Sequence, residues 1–516
     1  MTDTAHLSVR HILLEQTART SGSSETEIKK LIEESASKIV WLDVQIAVSL
    51  YAQIAAFVEL RERERTIISA LRSLIAPIRI LPVELLAEIF IFLLEDTRTP
   101  WPRSRLTHFQ QAFRISHVCT HWRQIANTTP GLWTGIVAVS GSEPPKIPES
   151  VYADGMEAWL ARSAPLSVPV VIAETLYMMP SESKASPQKT SLVLEALLRI
   201  SSRWCSLRIR GSTSLAFLAR LAELRQDNLE EVTIGQGVDW LHDPATTVLP
   251  FGTTPRLRKA SIFVNTLFEM SWAQLTDLTV RTTHNDPVDV LAKCGNLVTA
   301  SVGMFVGTEL SQPTTDIVTL KHLRTLYLKS IGSSRICRLY APALECLYLE
   351  SISYAQAWQL TALQLGSPNI TKLDISHSNL TSAALVTILS HALSLTHLSL
   401  TRCFDDDDVI NALCYKAGVA PLVPRLHSLS LDWMSEFSGD TEKSVVSMIH
   451  SRWWTDRELD SLSSHAVSRW ASVALGTQEF SEPFENAMKG LRTQGLEVCL
   501  LIAERYYYND YSSDSD

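Results

Sequence analysis

Large apolar residues recur through the second half of the chain in a short phrase of the form L-x-x-L-x-L. The clearest copies begin at Leu323, Leu344, Ile370, Leu395 and Leu426, and weaker copies begin at Trp204, Leu229, Leu257, Leu275 and Leu297. Successive copies start 18 to 31 residues apart. Apolar and polar residues alternate at the end of each phrase, as in a strand that buries one face. The pattern therefore predicts a series of similar strands.

The stretches between the phrases carry polar turn residues followed by apolar residues at helical spacing. Helices are predicted at residues 190–203, 214–225, 286–293, 381–393 and 406–416. One strand and one helix per repeat, at a period close to the roughly 20–29 residues of leucine-rich repeats, predict an α/β solenoid over residues 166–505. Its fold class would be α/β, with an inner parallel sheet and the helices outside.

The residues between and after the leucines of each phrase belong to the open face of the predicted sheet. Tyr327 and Tyr348 become neighbours on adjacent strands, beside Lys329 and Glu350. Exposed aromatics among charges are typical of protein-binding hot spots, although each residue alone also fits an ordinary solvated strand. The face is predicted to bind a target protein through Arg208, Arg210, Tyr327, Lys329, Tyr348, Glu350, Lys372, Asp374, His397 and Asp432.

A long segment without proline or glycine precedes these repeats. Residues 25–76 follow a polar start, residues 1–24, and are predicted to form one long helix. Ile32, Ile39 and Ile46 follow heptad spacing, and the pattern then shifts to Leu50 and Ile54. The shift predicts a short, imperfect coiled coil with weak or local pairing instead of an obligate dimer.

A second apolar segment follows Pro82, a residue suited to the first turn of a helix. From Leu85 to Leu94 only Ala87 and Glu88 interrupt a wall of large apolar side chains. An amphipathic surface helix needs one apolar stripe, whereas this one is apolar nearly all round. At about a dozen residues it is too short to span a membrane. It is therefore expected to be covered on more than one side, by its own domain or by another protein.

Three motifs, in order over residues 77–135, resemble an F-box, the helical module that docks on the Skp adaptor of cullin–RING ubiquitin ligases. They are LP-x-ELL-x-x-IF from Leu81, VC-x-x-W-x-x-IA from Val118 and TP-x-LW from Thr129. With the lead-in helix and the repeats, the chain is similar to a large fungal family of F-box/leucine-rich-repeat proteins. The resemblance implies adaptor contacts by Leu81, Pro82, Glu84, Leu85, Leu86, Ile89, Phe90, Val118, Cys119, Trp122, Ile125, Leu132 and Trp133.

The function that this resemblance implies is substrate recognition in an SCF-type ligase during ubiquitin-dependent protein degradation. The F-box would recruit the adaptor, and through it the cullin–RING ligase, while the repeats hold an unidentified target. An F-box/repeat scaffold that works outside a ligase is the alternative. Residues 136–165 would connect the two parts.

Composition narrows the partners and the compartment. Of 516 residues, 46% are hydrophobic and 20% charged, which is typical of a globular protein. A net charge of −9 without an isolated basic block argues against nucleic acid. No run of about 18 uninterrupted apolar residues occurs, so no membrane segment is expected. Eight cysteines without paired spacing indicate a reducing compartment, cytoplasmic or nuclear. The acidic tail, residues 506–516, is expected to be disordered.

The chain lacks the sequence signatures of common catalytic sites. No nucleotide-binding, metalloprotease or serine-hydrolase motif occurs, so we expect a non-enzymatic protein without a cofactor or a metal. The acidic run from Asp405 to Asp408 lacks the glycine and the distal glutamate of a calcium loop. It is interpreted as a helix start, where acidic side chains are favourable.

Overall fold

The computed structural model describes residues 22–95, 107–140, 148–173, 192–210, 220–235, 251–263, 270–282, 287–304, 316–330, 336–352, 357–403, 407–416, 418–433, 439–454, 467–477 and 479–502. The chain divides into two compact units, residues 1–88 and 89–516, and the boundary falls inside one helix. Most of the polar start, most of the predicted helix at 214–225 and the acidic tail lie outside the described residues.

The first unit is dominated by helix α1, Gly22–Leu74, which confirms the predicted N-terminal helix. The helix ends before Pro77, which opens the 3-10 turn Pro77–Arg79 because its fixed φ and missing N–H suit a first turn. By length and composition, α1 is apolar enough to cross a membrane, and its apolar window has no buried residue. The criterion of uninterrupted apolar runs missed this property because charged residues such as Asp43 and Glu59, and polar residues such as Gln53, interrupt the apolar stretch.

Helix α2, Val83–Glu95, begins in the first unit and ends in the second. The helices that follow are α3 Thr107–Val118, α4 Thr120–Thr128, α5 Glu149–Arg162, α6 Leu192–Leu198, α7 Pro287–Leu291, α8 Ala357–Leu365, α9 Ser382–Ser390, α10 Asp408–Leu413, α11 Gly439–Ser451 and α12 Glu482–Thr493. Short 3-10 turns lie at Pro130–Trp133, Ser201–Arg203, Trp272–Gln274 and Ile336–Arg338.

The strands of the second unit alternate with these helices and turns. Their bounds are β1 Val137–Ser140, β2 Val168–Ala173, β3 Trp204–Arg210, β4 Glu231–Ile234, β5 Lys259–Phe263, β6 Asp277–Thr282, β7 Thr299–Met304, β8 Val318–Thr319, β9 Thr325–Lys329, β10 Leu339–Tyr340, β11 Cys346–Glu350, β12 Lys372–Ser376, β13 His397–Thr401, β14 Ser428–Asp432, β15 Ser472–Thr477 and β16 Glu497–Ile502. Fourteen of them form one parallel sheet whose order follows the chain, and β8 pairs with β10 separately.

The leucines of the phrases stack across this sheet. Leu326 of β9 pairs with Leu347 of β11, which pairs with Leu373 of β12, and all three side chains are buried. The residues between the leucines face the other way, so each strand buries one face. The prediction of a series of similar parallel strands is confirmed.

A backbone ladder joins the start of each phrase to the phrase before it. Glu345 N–H donates to the carbonyl of Arg324 at 2.9 Å, and Thr371 N–H donates to the carbonyl of Glu345 at 2.9 Å. The same bond recurs at every phrase predicted after Trp204. Asparagine side chains add to it, because Asn369 Nδ2 donates to the carbonyl of Pro342 at 3.0 Å. Each repeat is therefore fixed to its neighbour before its strand begins.

Four strands that are adjacent in the sheet are each followed by a residue in the left-handed region. Ser330, Ser351, His377 and Arg402 have φ between 48° and 57° and come directly after β9, β11, β12 and β13. Each turned N–H donates to the last carbonyl of the next strand, as Ser351 does to Ser376 at 3.0 Å. The turn is thus held by the neighbouring repeat.

Several predicted elements differ from those observed. Residues 136–165, expected to be a connector, contain β1 and helix α5, so the sheet starts earlier than residue 166. Strands β15 and β16 extend it beyond the last predicted phrase. Helix α10 begins at Asp408, but the Asp407 carboxylate does not cap it, since it accepts from the Ser444 hydroxyl at 3.2 Å.

Candidate functional site

Helix α2 separates its apolar side chains into two groups. Leu86, Phe90 and Leu94 recur every fourth residue and are fully buried. Four further apolar side chains of the helix are exposed, beside the exposed carboxylates of Glu84 and Glu88. They are Leu85, Ile89, Phe92 and Leu93, of which Phe92 is the most exposed at 73%. We call these four residues the α2 face. A surface of this kind is typical of a site that another molecule covers.

The helices after α2 hold its buried side from within the second unit. The rings of Phe90 and Trp122 lie 4.7 Å apart between centroids. Helix α4, which carries Trp122, is capped by Cys119, whose sulfur accepts the Trp122 N–H at 3.4 Å. At Gly131 a Cβ would lie 3.2 Å from Ile91 Cδ1, so a larger residue there would require the Ile91 side chain to shift. These contacts orient the second half of α2.

Trp133 is the centre of a second buried cluster. Its indole N–H donates to the carbonyl of Ala126 at 2.7 Å, and its ring meets those of Phe113 and Trp159 at 5.8 and 4.8 Å. The Arg162 guanidinium lies 4.8 Å from the same ring centroid. Because Trp159 and Arg162 lie on α5, this cluster joins the helical region to the start of the sheet.

The residues predicted to contact an adaptor separate by exposure. Fully or partly exposed are Leu81, Pro82, Glu84, Leu85, Ile89, Val118, Cys119 and Trp122. Buried are Leu86, Phe90, Ile125, Leu132 and Trp133. The buried five cannot meet a partner in this conformation, so for them the contact role is corrected to an internal packing role. Phe92 and Leu93 were missed, because an all-round apolar pattern does not reveal which side is covered.

On the exposed face of the sheet, Tyr327 and Tyr348 lie opposite each other on β9 and β11. Their rings stack with centroids 4.2 Å apart and 12° between planes, which confirms that they are neighbours. The Lys372 ammonium lies 5.3 Å from the Tyr348 ring centroid, within cation–π range. Burial, together with Tyr348, raises the pKa of Tyr327 above its ordinary value. We call Tyr327, Tyr348, Lys372, Asp374 and His397 the tyrosine patch.

The polar members of the tyrosine patch are partly withdrawn from solvent. Burial raises the pKa of Asp374, while a hydrogen bond from Ser399 and the charge of Lys372 act in the opposite direction. Burial, with the nearby His427 and Lys372, lowers the pKa of His397, which favours the neutral ring at pH 7. A half-buried carboxylate and a neutral imidazole beside two phenols offer hydrogen bonds to a polypeptide partner.

The remaining predicted face residues mostly lie beside a residue of opposite charge. Lys329 forms an ion pair with Glu350, and Arg208 pairs with Glu231 at 3.2 Å. Asp432 lies 4.0 Å from Arg402. Pairs on neighbouring strands neutralise each other, so these residues present less free charge than the sequence alone implied.

The sheet brings only some of the predicted face residues together. The tyrosine patch spans β9 to β13 without a gap. Arg208 and Arg210 lie on β3, five strand steps from β9, or about 24 Å at the usual strand spacing. Ser399 was missed, although it occupies the same position in its phrase as Asp374 does. His427 was missed because it lies one position earlier in its phrase than His397, whose partner in register is Ser428.

Comparison with known proteins agrees with the helical region. Residues 78–138 match the model of the F-box-like family. The match covers α2, α3, α4, the turn that carries Trp133 and part of β1. The chain therefore carries an F-box-like domain. F-box domains typically bind Skp-family adaptors, so such an adaptor is the expected partner. No curated protein matches the chain.

Proposed function

We propose that this chain is the substrate-recognition subunit of an SCF-type cullin–RING ubiquitin ligase. The observation that carries the proposal is the exposed apolar α2 face inside the F-box-like domain. An adaptor that covers this face removes large side chains from water, at about 25 cal/mol per Å² of apolar surface. Catalysis would belong to the ligase partners, and this chain would act by holding a target near them.

The adaptor assignment is tested on the α2 face. The double substitution Ile89→Lys, Phe92→Lys places two charges in the proposed contact and should abolish binding to the Skp adaptor. Both side chains are exposed, so the thermal melt should stay unchanged. Leu365→Lys, at an apolar residue that is 71% exposed on α8, is the matched control and should bind normally. Full adaptor binding by the double variant contradicts the assignment.

The target would bind to the sheet, which we propose to be a leucine-rich-repeat solenoid. Repeats with a period close to that of leucine-rich repeats, buried leucine rows and sequential parallel pairing support this assignment. Within it, the tyrosine patch is the favoured contact, because stacked phenols offer contact area with little side-chain entropy left to lose.

The target site is tested by removing both rings of the patch. Tyr327→Ala with Tyr348→Ala should keep the adaptor and the melt, yet lose specific co-purifying proteins, since truncating such anchors costs ~2 kcal/mol or more of binding. Tyr340→Ala is the matched control, because Tyr340 is similarly exposed but lies on the separate two-stranded sheet. An unchanged set of co-purifying proteins would move the target site elsewhere.

A scaffold that binds the adaptor outside a ligase is the alternative function. The two are separated by purifying the chain and asking whether cullin accompanies the adaptor. Cullin at a stoichiometry similar to that of the adaptor supports the ligase subunit. Adaptor without cullin supports the scaffold.

A further inference from the structure

Helix α1 carries one heptad row along its whole length. Positions spaced by seven hold isoleucine or leucine in six cases of seven. They are Ile32, Ile39, Ile46, Gln53, Leu60, Ile67 and Leu74, which we call the seam. The six apolar members are between 45% and 63% exposed. The shift toward Leu50 and Ile54 noted in the sequence disappears when those two residues are assigned to flanking faces. The seam is then continuous.

The second core position of the same heptads is mostly small. It holds Ile28, Ser35, Leu42, Ser49, Ala56, Arg63 and Ala70, which we call the small row. In a parallel pair of helices each row meets itself, whereas in an antiparallel pair the seam meets the small row. We propose that α1 helices from two copies of this chain pair antiparallel, with the seam of each helix against the small row of the other.

Side-chain volume selects one alignment. When the helices cross between Ala47 and Val48, Ile39 faces Ala56, Ile46 faces Ser49 and Leu60 faces Ser35 of the second copy. Each of these three layers combines one large and one small side chain, which fills these layers evenly, while Leu42 faces Gln53, Ile28 faces Ile67 and Arg63 faces Ile32. A parallel pair would alternate wide isoleucine layers with serine and alanine layers that leave gaps.

Charge selects the same alignment. Beside the core, Lys38 of one helix then faces Glu59 of the second copy, and Lys29 faces Glu64. Both pairs occur twice by symmetry. In a parallel pair, Glu59 would face Glu64 and Arg63 would face itself, with only Lys38 against Asp43 in compensation. Opposite charges on both flanks therefore favour the antiparallel arrangement.

The length of the helix fits this alignment as well. Helix α1 runs from Gly22 to Leu74, so its midpoint is Val48. The crossing point selected by volume and charge lies within one residue of that midpoint. Nearly every residue of α1 is therefore opposite the second copy, and neither end protrudes.

A lipid bilayer is the competing cover for this apolar helix. The segment without Asp, Glu, Lys or Arg, 44–58, has 15 residues. At 1.5 Å per residue it is about 22 Å long, shorter than the roughly 30 Å of hydrocarbon that a spanning helix must cross. Gln45, Ser49 and Gln53 lie on one side within it. The observations favour a second copy.

The stoichiometry is tested by light scattering of the full-length chain with bound Skp adaptor. The wild-type chain, of 57.5 kDa, should contribute twice its mass. Ile39→Asp with Ile46→Asp in the seam should give a monomer. The matched control, Val44→Asp with Tyr51→Asp, lies outside both rows and should remain a dimer. A monomeric wild-type chain, or an equal loss of the dimer in the seam variant and the control variant, overturns the proposal. So does binding of the wild-type chain to phosphatidylcholine vesicles that the control variant abolishes.

The relative direction of the two α1 helices is tested by disulfide cross-linking, with each new cysteine introduced into the otherwise wild-type chain. Chains with Ile39→Cys mixed with chains carrying Ala56→Cys should form a cross-linked pair under mild oxidation. Ile39→Cys chains alone should not, because their cysteines would lie about 25 Å apart along the axis. Cross-linking of Ile39→Cys chains alone indicates a parallel pair and overturns the proposal.

The charge pairing is tested by reversal and restoration. Lys38→Glu should weaken the dimer about tenfold, because two attractive pairs become repulsive. Lys38→Glu with Glu59→Lys should recover the wild-type dissociation constant. Glu59→Lys alone separates the two arrangements, because it places two lysines together in the antiparallel pair and should weaken it, whereas in a parallel pair it would relieve the repulsion between Glu59 and Glu64. Failure of the double variant to recover overturns the antiparallel register.

Discussion

Single residues after the strands determine how the repeats join. Ser351 has a φ of 57° and is exposed, and its N–H bonds to the next repeat. The left-handed region costs a non-glycine residue roughly 1–2 kcal/mol, and a β-branched residue more. The hydrogen bond from the Ser351 N–H to the carbonyl of Ser376 offsets this cost in the folded chain.

We therefore predict opposite effects of two substitutions at Ser351. Ser351→Gly should melt at or above the wild-type temperature, because relief of strain offsets the added chain entropy. Ser351→Val should melt several degrees lower. Thr371→Val is the control, because Thr371 is exposed but is not among the residues with positive φ. A Ser351→Val chain that melts like wild type would show that the turn carries no strain.

Cysteine reactivity should follow burial. Burial raises the pKa of Cys403 to about 11 and that of Cys294 to about 12, whereas Cys499 is exposed. A thiol reagent at pH 8 should modify Cys499 in the folded chain and reach the buried pair only after unfolding, as peptide mass spectrometry would report. Both buried thiols have a pKa above the ordinary 9.0. Their contribution to the free energy of unfolding is therefore complete below pH 9 and declines as the pH rises above it. Rapid labelling of Cys403 in the folded chain would contradict the burial of this thiol.

At the scale of elements, one carboxylate connects two neighbouring helices. Glu442 of α11 is buried and accepts from the Ser481 N–H at 2.8 Å and from the Ser481 hydroxyl. Ser481 in turn caps α12 by accepting the Phe484 N–H at 3.3 Å. Positioning of the cap therefore depends on the preceding repeat.

Glu442→Ala should lower the free energy of unfolding by about 1–3 kcal/mol, because it removes two hydrogen bonds to a charged acceptor. Ser481→Ala should cost about 1 kcal/mol as the loss of a cap. The double variant should cost less than the sum, since both changes remove one network. Chemical denaturation of the four chains measures this coupling, and strict additivity would show that the two residues act independently.

Elements could be predicted from the sequence where residues close together in the chain define them, and not where tertiary packing decides which side chains are covered. The ten phrases located the corresponding strands, because alternating leucines both define a strand and fill the core. Strands β15 and β16 escaped, because Val473 and Val498 take leucine positions in them and the spacing before β15 is longer. The α2 face escaped because Leu85 and Leu86 look alike in sequence, and only tertiary packing covers one of them.

At the scale of the whole molecule, the F-box-like domain and helix α1 should be separable. The family match starts at residue 78, beyond the end of α1. Deleting residues 1–76 should therefore leave adaptor affinity unchanged, as calorimetry with purified adaptor would measure. Under the pairing proposed above, the same deletion should halve the mass of the complex. Loss of adaptor binding on deletion would show that α1 belongs to the docking site.

The order of the sheet has a consequence for how the chain folds. Each main-sheet strand hydrogen-bonds only to its nearest sheet neighbours, which are separated from it by a few tens of residues in the chain. Such short-range topology lets folding start within any few repeats and spread outward, and it leaves terminal repeats with one neighbour instead of two. Amide hydrogen exchange should accordingly be slowest in β9 to β13 and fastest in β1 and β16, as a gradient along the chain.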